Sequence, residues 1–479
     1  MNVFDTLLQA ARQWPSRTAI IDAEGSLDYQ TLWRQIEALR AELASANLRQ
    51  GTGVGIRARN GRGFVIGALA ALGCGGVIMP IHHQLKPFEL EQMLKQAPLG
   101  LILDDGCGCG LPPSTRARSP LRAVKGLHLT PLADPNARLA PGIEQAAFVR
   151  FTSGTTGAAK GVALTHQDIL ERIHAANSGL GLGAGDSVLW VLPMAYHFYV
   201  SILLYLEVGA TIIVSADYLA ESILEAAETY QATFLYVTPM HVRILTGADA
   251  KYRLPASLKR VMSVSSRLHP QAARDFQARY GVPVAQGYGI IEVGLPIMNI
   301  EEAADHPEAI GRPLKDFEAA LLDEHQVPVA DGQTGQLALR GPGMLSGYLC
   351  PPRRREEVLK QGWFLTGDLA HRDPGGRIVL DGRVSSVINV AGHKVFPEEV
   401  AGVLDQHPAV LRSRVAAQPH PQLGEVVHAQ VQLRGGAAPV TCGELRTFCS
   451  RALSSHKVPA SIEFVEQLEM TASGKVRHG

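Results

Sequence analysis

The sequence predicts an α/β protein with a large N-terminal domain of helix-covered sheets, a β-rich subdomain, and a small α+β C-terminal domain. Three observations predict this class. The chain has 479 residues, which is more than one simple core usually holds. Helical patterns alternate with short β-branched runs, as in parallel sheets covered by helices. From about residue 310 the pattern changes to alternating strands joined by Gly, Asp and Pro turns.

The N-terminal domain is predicted to span residues 1–382, and its elements follow from hydrophobic periodicity. Helical periodicity is clearest in Tyr29–Ala46 and Ala220–Thr229. The apolar run Phe64–Ile81 is interrupted by four glycines and Pro80, so we expect a buried helix, then a strand, and no membrane span. The short strands predicted between the helices are Val54–Arg57, Val77–Ile81, Leu101–Leu103, Val188–Val191, Thr211–Val214, Phe234–Val237 and Val261–Val264.

The β-rich subdomain is predicted at about residues 310–382, and the C-terminal domain at 386–479. The subdomain strands are predicted at Phe317–Asp323, Gly335–Arg340 and Arg377–Leu380. Strands and helices mix in the last part of the chain, which is typical of a compact α+β domain. Its strands are predicted at Val387–Val390, Arg414–Ala417 and His428–Leu433, and its helices at Pro397–Gln406 and Cys442–Leu453.

Composition and charge exclude several classes of protein. Lys+Arg and Asp+Glu balance at 45 each, so no overall basic field attracts nucleic acid. Six cysteines in a chain of this length do not form a disulfide framework, and Cys107 and Cys109 have no second pair at zinc spacing. The N-terminus has the pattern of an amphipathic helix rather than of a signal peptide. We therefore expect a cytoplasmic protein with free thiols and no nucleic-acid partner.

The stretch from Phe151 to His166, FTSGTTGAAKGVALTH, is the most informative part of the chain. Hydroxyl side chains alternate with glycines and a lysine follows, which offers N–H groups, O–H donors and a mobile cation to a polyphosphate. The predicted ligand residues are Thr152, Ser153, Gly154, Thr155, Thr156, Gly157 and Lys160. The segment is not a Walker P-loop, because alanines precede Lys160 and Gly161 follows it. A polar turn between two strands is the alternative interpretation.

Two further segments carry groups suited to the rest of a nucleotide. In Gln286–Glu292, glycines on both sides of Tyr288 permit its ring to lie flat against a base, and Glu292 is suited to a hard cation such as Mg²⁺. At residues 366–368 a carboxylate follows a Thr-Gly turn, and such a carboxylate is a good acceptor for ribose hydroxyls. Taken alone, each segment is also compatible with an ordinary strand turn.

Together these segments resemble the motifs of the adenylate-forming superfamily, which includes acyl- and aryl-CoA synthetases, peptide-synthetase adenylation domains and beetle luciferases. The resemblance covers essentially the whole chain. In order, it matches the phosphate loop, the adenine-and-magnesium segment, the ribose segment, the start of the C-terminal domain and the terminal lysine motif. These motifs stand at residues 152–160, 286–292, 366–368, 382–399 and 473–475. A chance match to all five in order is very improbable.

The resemblance implies ATP-dependent activation of a carboxylic acid as an acyl-adenylate, with release of pyrophosphate and transfer of the acyl group to a thiol. ATP, Mg²⁺ and coenzyme A are the implied cofactors. The resemblance implies that the phosphates bind the loop at residues 152–160 and that Thr156 and Glu292 bind the metal ion. Adenine is implied to lie against Tyr288 and Gly289, and Asp368 with Arg383 is implied to bind the ribose. The implied catalytic residues are Lys475, Glu292 and Arg383.

The resemblance also implies that the C-terminal domain is a mobile lid. Residues 383–385 are the implied hinge, and after adenylation Lys475 leaves while the region of Gly392 and Lys394 approaches. Three positions depart from the family pattern. Ser385 replaces an Asp or Lys, Ile291 replaces a Thr that bonds the adenylate phosphate, and residues 264–267 replace a Gly-Ala-Pro run. The changes at Ile291 and at residues 264–267 remove no charged catalytic group.

The acid is predicted to bind in a pocket formed by aromatic, aliphatic and glycine residues. These residues are Tyr196, His197, Tyr236, Val264, Ser265, Gly287 and Ile291. Amino-acid-activating relatives carry an aspartate near the first of these positions, and residues 193–197 contain none. A non-amino acid is therefore expected, because a buried ammonium without a partner is costly. The lining suits a fatty or an aryl acid, and His197 is either a pocket residue or an ordinary core histidine.

The sequence leaves open both the identity of the thiol acceptor and whether the protein is an enzyme. Coenzyme A and the phosphopantetheine arm of an acyl or peptidyl carrier protein present the same thiol. Arg353, Arg354, Arg355, Arg412 and Lys457 suit a nucleotide-binding patch, and equally a solvated face. The departures at Ile291 and Val264 would also fit a non-catalytic regulator that binds a nucleotide or an acyl-adenylate, although the retained charged residues favour an enzyme.

Overall fold

The computed structural model describes residues 2–107, 111, 118–152, 160–390, 393–420, 424–436 and 438–469. The chain divides into two compact units. The first contains the chain up to Glu318 together with Arg340–Phe364, and the second contains Ala319–Leu339 and the chain from Leu365 onward. The hinge predicted at residues 383–385 is a point about which the C-terminal domain would move, whereas the two compact units are defined by contacts. The hinge therefore stays a prediction.

In the described part of the chain, the first sheet of the first unit has nine strands, of which the six central ones are parallel. Its antiparallel strands lie at the two edges. The predicted strands Thr211–Val214 and Phe234–Val237 are confirmed residue for residue. In spatial order the strands are Arg312–Pro313, Gly294–Asn299, Val284–Ile290, Arg260–Ser263, Phe234–Val237, Ser187–Trp190, Thr211–Val214, Thr18–Asp22 and Gly25–Asp28.

Among the residues that the structure describes, the second sheet of this unit also has nine strands, with four parallel strands at its centre. The expectation of parallel sheets therefore holds for the centres and is wrong at the edges. Links as short as the three residues between Ile290 and Gly294 join only antiparallel strands. In spatial order the strands are Pro352–Arg354, Gly347–Leu349, Lys160–Thr165, Ala146–Thr152, Val77–Pro80, Gly53–Arg57, Leu101–Asp104, His128–Pro131 and Ser119–Pro120.

Helices make up the rest of the regular structure of the first unit. The predicted buried helix is confirmed as Arg62–Gly73, in which residues 64–72 are all buried. No helix in the described part of the chain combines the length and the apolarity needed to cross a bilayer. The α-helices are Val3–Gln13, Tyr29–Ser45, Arg62–Gly73, Pro87–Gln96, His166–Leu180, Met194–His197, Leu203–Glu207, Ala220–Thr229, Pro239–Thr246, Pro270–Tyr280 and Arg355–Val358. A π-helical turn, Phe198–Ile202, lies between the two short helices at 194–207.

The second unit contains most of a four-stranded sheet and a separate α+β core. The strands of the first of these are Glu318–Leu322, Gly335–Arg340, Phe364–Arg372 and Ile378–Arg383. The C-terminal sheet consists of His393–Val395, Ile388–Val390, Gly424–Leu433, Val410–His420 and Ser461–Phe464. Its core side chains, which include Val400, Leu404 and Leu445, come from this sheet and from the helices Pro397–Leu404 and Cys442–Ser450. The predicted hinge residue Ser385 is exposed in the 3₁₀ turn Val384–Ser386.

Candidate active site

The predicted phosphate loop connects two antiparallel strands of the second sheet. Thr152 and Lys160 are opposite each other in the register, so the loop leaves one strand and enters the other at the same level. Ser153, Gly154, Thr155, Thr156 and Gly157 lie outside the described residues. The Lys160 Nζ atom lies 5.4 Å from the ring centroid of Tyr348. At this distance the lysine makes a cation–π contact with the Tyr348 ring. The hydroxyl of the same ring contacts a second predicted site residue.

That second residue is Glu292, in the turn that follows the strand Val284–Ile290. The Tyr348 hydroxyl donates a hydrogen bond of 3.0 Å to Glu292 Oε1. The backbone carbonyl of Glu292 accepts a bond of 2.7 Å from the Leu345 amide. Burial, together with the neighbouring carboxylate, raises the pKa of Tyr348 above its usual range. The tyrosine therefore stays protonated and acts as a donor at neutral pH.

Sequence reasoning missed Tyr348, and the sheet explains why. It lies in the short strand Gly347–Leu349, which pairs antiparallel with Lys160–Thr165 so that Tyr348 is opposite Val162. Nothing in the local sequence indicates this partner strand. The only available signal is a Gly-Tyr pair, which is too common to identify a site.

Arg172 is a second residue that the sequence did not single out. It is fully buried on the helix His166–Leu180, and burial lowers the pKa of its guanidinium. Its Nη1 donates to the Ile291 carbonyl at 3.0 Å, and its Nε donates to the Gly343 carbonyl at 3.0 Å. One side chain thus fixes the backbone on which Glu292 stands. Arg172 lies in no recognisable sequence motif, so only its contacts in the folded structure identify its role.

The adenine segment is shaped by close backbone contacts. A Cβ atom on Gly289 would lie 2.5 Å from the Gly294 carbonyl oxygen, so only glycine fits in this strand turn. Tyr288 is mostly buried and pairs with Ile297 on the neighbouring strand. Ile291 is also buried. The adenine-binding role of Tyr288 and Gly289 stays a prediction.

The predicted pocket residues fall into two groups. Tyr196 stacks on His82 at 5.2 Å, and its ring also contacts the Arg150 guanidinium at 4.6 Å. His197 instead lies edge-on to Tyr236, with ring centroids 5.9 Å apart. Val264 directly follows the strand Arg260–Ser263, and a Cβ atom on Gly287 of the adjacent strand would lie 3.2 Å from its Cγ1. Ser265 follows Val264 with a φ of +75°, a left-handed conformation that is uncommon for a residue other than glycine.

In the second unit, the two predicted ribose-binding residues form an ion pair. Arg383 Nε lies 2.7 Å from Asp368 Oδ1, because the strands Phe364–Arg372 and Ile378–Arg383 place the two residues directly opposite each other. Asp368 is buried, and its amide bonds the Thr366 hydroxyl at 3.0 Å. Lys394 lies in the strand His393–Val395, whereas Gly392 and Lys475 lie outside the described residues.

Comparisons with known proteins agree over both parts of the chain. Residues 7–349 match the family model of AMP-binding enzymes, and residues 399–475 match that of the AMP-binding enzyme C-terminal domain. A sulfoacetate–CoA ligase of Cupriavidus necator is 29% identical over 99% of this chain and 97% of its own length. A 2-succinylbenzoate–CoA ligase of Bacillus licheniformis is 28% identical over 98% of each chain.

A solved structure has the same fold. It is an o-succinylbenzoate CoA synthetase from Bacillus subtilis in complex with its acyl-adenylate intermediate. The TM-score is 0.85 at 22% identity, over 99% of this chain and 97% of that one. The predicted class, α/β sheets with a small C-terminal α+β domain, is confirmed by this likeness.

Proposed function

The chain belongs to the AMP-binding enzyme family, and we infer from this membership how its residues work. It is an ATP-dependent acid–thiol ligase, which forms an acyl-adenylate and then an acyl-CoA. In the first step a carboxylate oxygen bonds to the α-phosphorus of ATP, and the bond to pyrophosphate breaks. In the second, the coenzyme A sulfur bonds to the acyl carbon after losing its proton, and AMP leaves. Both steps bring anions together, so electrostatic stabilisation is the main requirement.

The observation that carries the assignment of residues is the group formed by Lys160, Tyr348 and Glu292. A cation from the phosphate loop and a carboxylate from the adenine segment both contact one tyrosine. Residues far apart in the sequence thus bring opposite charges to the same tyrosine side chain. This arrangement supports a role for Lys160 at the polyphosphate and for Glu292 at its counter-ion.

The carboxylate of Glu292 fits a site for a single Mg²⁺ ion. A carboxylate is the protein ligand that Mg²⁺ prefers, and its remaining ligands are commonly phosphate oxygens and water. When bound, the ion would neutralise charge on the phosphates. Thr156, the other proposed ligand, lies outside the described residues.

We assign the remaining roles on the same basis. Asp368, held by Arg383, would accept hydrogen bonds from the ribose hydroxyls. Lys475 would contact the carboxylate and the α-phosphate, and Gly392 and Lys394 would act in thiol transfer, as the resemblance implies. The acid would bind beside His197 and Tyr236, and no aspartate stands at residues 193–197 to pair an α-amine. A non-amino carboxylic acid is therefore proposed.

Replacing Tyr348 with phenylalanine should weaken MgATP binding by at least ~10-fold, since a hydrogen bond to a charged group contributes ~1.5–3 kcal/mol and ~1.4 kcal/mol is tenfold. The phenyl ring keeps its place beside Lys160, and only the donor to Glu292 is lost. Calorimetric titration with a non-hydrolysable ATP analogue, at several Mg²⁺ concentrations, measures the effect. Tyr252→Phe is a matched control, because the Tyr252 hydroxyl bonds Glu225 on the protein surface. Equal affinity of both variants would contradict the assignment.

The reaction itself is tested by pyrophosphate release from ATP with a panel of short-chain, long-chain and aryl acids, with and without coenzyme A. At least one acid should give release that depends on the acid, and coenzyme A should convert the adenylate into a thioester. Adenylate that accumulates in the presence of coenzyme A would exclude it as the acceptor. Absence of release with every acid would overturn the proposed function.

A further inference from the structure

Arg150 lies on the strand that leads into the predicted phosphate loop. The strand Ala146–Thr152 ends two residues beyond it, where the loop begins. In the register, Arg150 is opposite Val162, and Val162 is opposite Tyr348 on the next strand. Directly opposed residues project from one face of a sheet, and so do residues two apart on a strand such as Lys160 and Val162. The face that carries Arg150 therefore also carries the contact between Lys160 and Tyr348.

The Arg150 side chain reaches from this face to residues 194–199, which we call the pocket segment because it holds two predicted pocket residues. Its Nη1 donates a hydrogen bond of 2.8 Å to the backbone carbonyl of Tyr196. Its guanidinium carbon lies 4.6 Å from the centroid of the Tyr196 ring. The same guanidinium is within hydrogen-bonding reach of the Tyr199 phenol. One side chain of the second sheet thus holds a segment that follows the strand Ser187–Trp190 of the first sheet.

Tyr199 connects Arg150 with the turn that carries Glu292. Its ring centroid lies 4.7 Å from that of Phe148, which precedes Arg150 by two residues on the same strand. The guanidinium of Arg172, the residue that bonds the backbone before Glu292, lies 5.2 Å from the Tyr199 ring. Burial raises the pKa of the Tyr199 phenol, and the two guanidinium groups oppose this rise. The phenol therefore stays neutral at pH 7 and is a steady partner for Arg150.

The proposed reaction requires two separately bound molecules to meet in a defined geometry. The acid would lie beside the pocket segment, whereas ATP would be held by the loop at residues 152–160 and by Glu292. Reacting atoms must approach to about 3–3.5 Å, and a misplacement of ~1 Å can cost ~10²-fold in rate. Arg150 belongs to the strand that carries one of these binding segments, and it contacts the other.

An arginine suits this place better than a lysine. A guanidinium donates hydrogen bonds in its plane while its flat face packs on an aromatic ring, and an ammonium group cannot do both. The Arg150 Nε atom is buried and has no hydrogen-bond partner among the described residues. An unpaired buried N–H lowers the stability of the fold, which argues for a functional rather than a stabilising role.

We propose that Arg150 is a positioning residue for adenylation, which fixes the pocket segment against the strand of the phosphate loop and so aligns the carboxylate with the α-phosphate. The proposal rests on the proposed function. Arg150 acts through Tyr196 and Tyr199, not through contact with a substrate. Its effect is confined to the step in which acid and ATP are separate molecules, because in the acyl-adenylate the two are already covalently joined.

The proposal is tested by measuring the two half-reactions of Arg150→Gln separately, with the acid of the panel that gives the fastest pyrophosphate release. At saturating acid and MgATP, the kcat for adenylation should fall by ~10²-fold, the cost of a misplacement of ~1 Å. The chemically prepared adenylate of the same acid should react with coenzyme A at the wild-type rate, and the affinity for MgATP should not change. An equal loss in both half-reactions would reveal a merely structural role and overturn the proposal. Adenylation at the wild-type rate would overturn it as well.

Two further variants decide the question if Arg150→Gln does not fold. Arg150→Lys keeps the charge but cannot both donate and stack, so it should show the same selective loss of adenylation. Tyr199→Phe removes only the phenol oxygen and should lower the kcat for adenylation about tenfold, the contribution of one hydrogen bond to a charged group. Wild-type adenylation by Arg150→Lys, or a loss in both half-reactions of Tyr199→Phe, would overturn the proposal.

Arg279→Gln is the matched control. The Arg279 guanidinium lies 5.0 Å from the Tyr280 ring centroid, and its Nη1 donates to the Thr246 carbonyl at 2.8 Å. These are the same two kinds of contact in another part of the first unit, so both half-reactions of this variant should be unchanged. Absence of pyrophosphate release by the wild-type enzyme with every acid would overturn the proposed function and this proposal together. An active wild-type enzyme with an unaffected Arg150→Gln variant would overturn this proposal alone.

Discussion

Replacing Lys475 with alanine should reduce acid-dependent ATP–pyrophosphate exchange by ~10²–10³-fold, the usual cost of removing one donor that stabilises the transition state. The resemblance to adenylate-forming enzymes implies that this lysine contacts both the carboxylate and the α-phosphate as they bond. MgATP should still bind, because the loop at 152–160 and the turn at Glu292 are unchanged. The variant should therefore have a lower kcat and an unchanged affinity for the nucleotide.

Two measurements isolate this effect. Exchange of labelled pyrophosphate into ATP reports adenylation, and calorimetric titration reports nucleotide binding. Lys259→Ala is a suitable control, since Lys259 is an exposed lysine of the first unit that pairs with Asp186. Full exchange in the Lys475→Ala variant would refute the role proposed for this lysine.

Replacing Glu292 with glutamine should lower adenylation by roughly 10²-fold, since a bound metal ion contributes several kcal/mol of charge stabilisation. Glutamine has nearly the same shape, and its carbonyl oxygen accepts the Tyr348 hydrogen bond in place of the carboxylate. The fold of the turn should survive, because Arg172 and Leu345 bond its backbone rather than its side chain. The loss then reports the charge alone.

The Mg²⁺ dependence of ATP-analogue binding distinguishes this from a packing defect. The variant should need a higher Mg²⁺ concentration for half-maximal binding, whereas the exposed control Glu221→Gln should match the wild type. The assignment would be wrong if the Glu292→Gln variant kept the wild-type Mg²⁺ dependence. Tyr348→Phe should shift the same curve in the same direction by a smaller amount, because it removes only the group that orients the carboxylate.

Local sequence was sufficient for most elements of the fold. The strand Thr211–Val214 and the helix Ala220–Thr229 were predicted with their observed bounds, since each is a short periodic run between polar turns. The edge strands were not anticipated as antiparallel. Strand direction depends on which strand becomes the neighbour, and the pattern within one strand does not contain that information.

The candidate site likewise contains some residues that the sequence identified and others that only the structure identified. Asp368 and Arg383 were each found from a local motif, and their ion pair follows from a hairpin whose two strands are close in sequence. Tyr348 and Arg172 were not found, because each acts on Glu292 or its backbone from another part of the chain. The pairing of Gly347–Leu349 with Lys160–Thr165 alone brings Tyr348 to Glu292.

The sequence by itself determined the reaction class, because glycines, hydroxyls and charges that bind a nucleotide must stand at fixed short spacings along the chain. Only the tertiary structure decided how the candidate site is supported. This support depends on side chains from separate strands and helices that touch after folding, as the Arg172 bond to the Ile291 carbonyl illustrates. Packing of this kind is a property of neighbours in space, and the order of residues along the chain does not specify it.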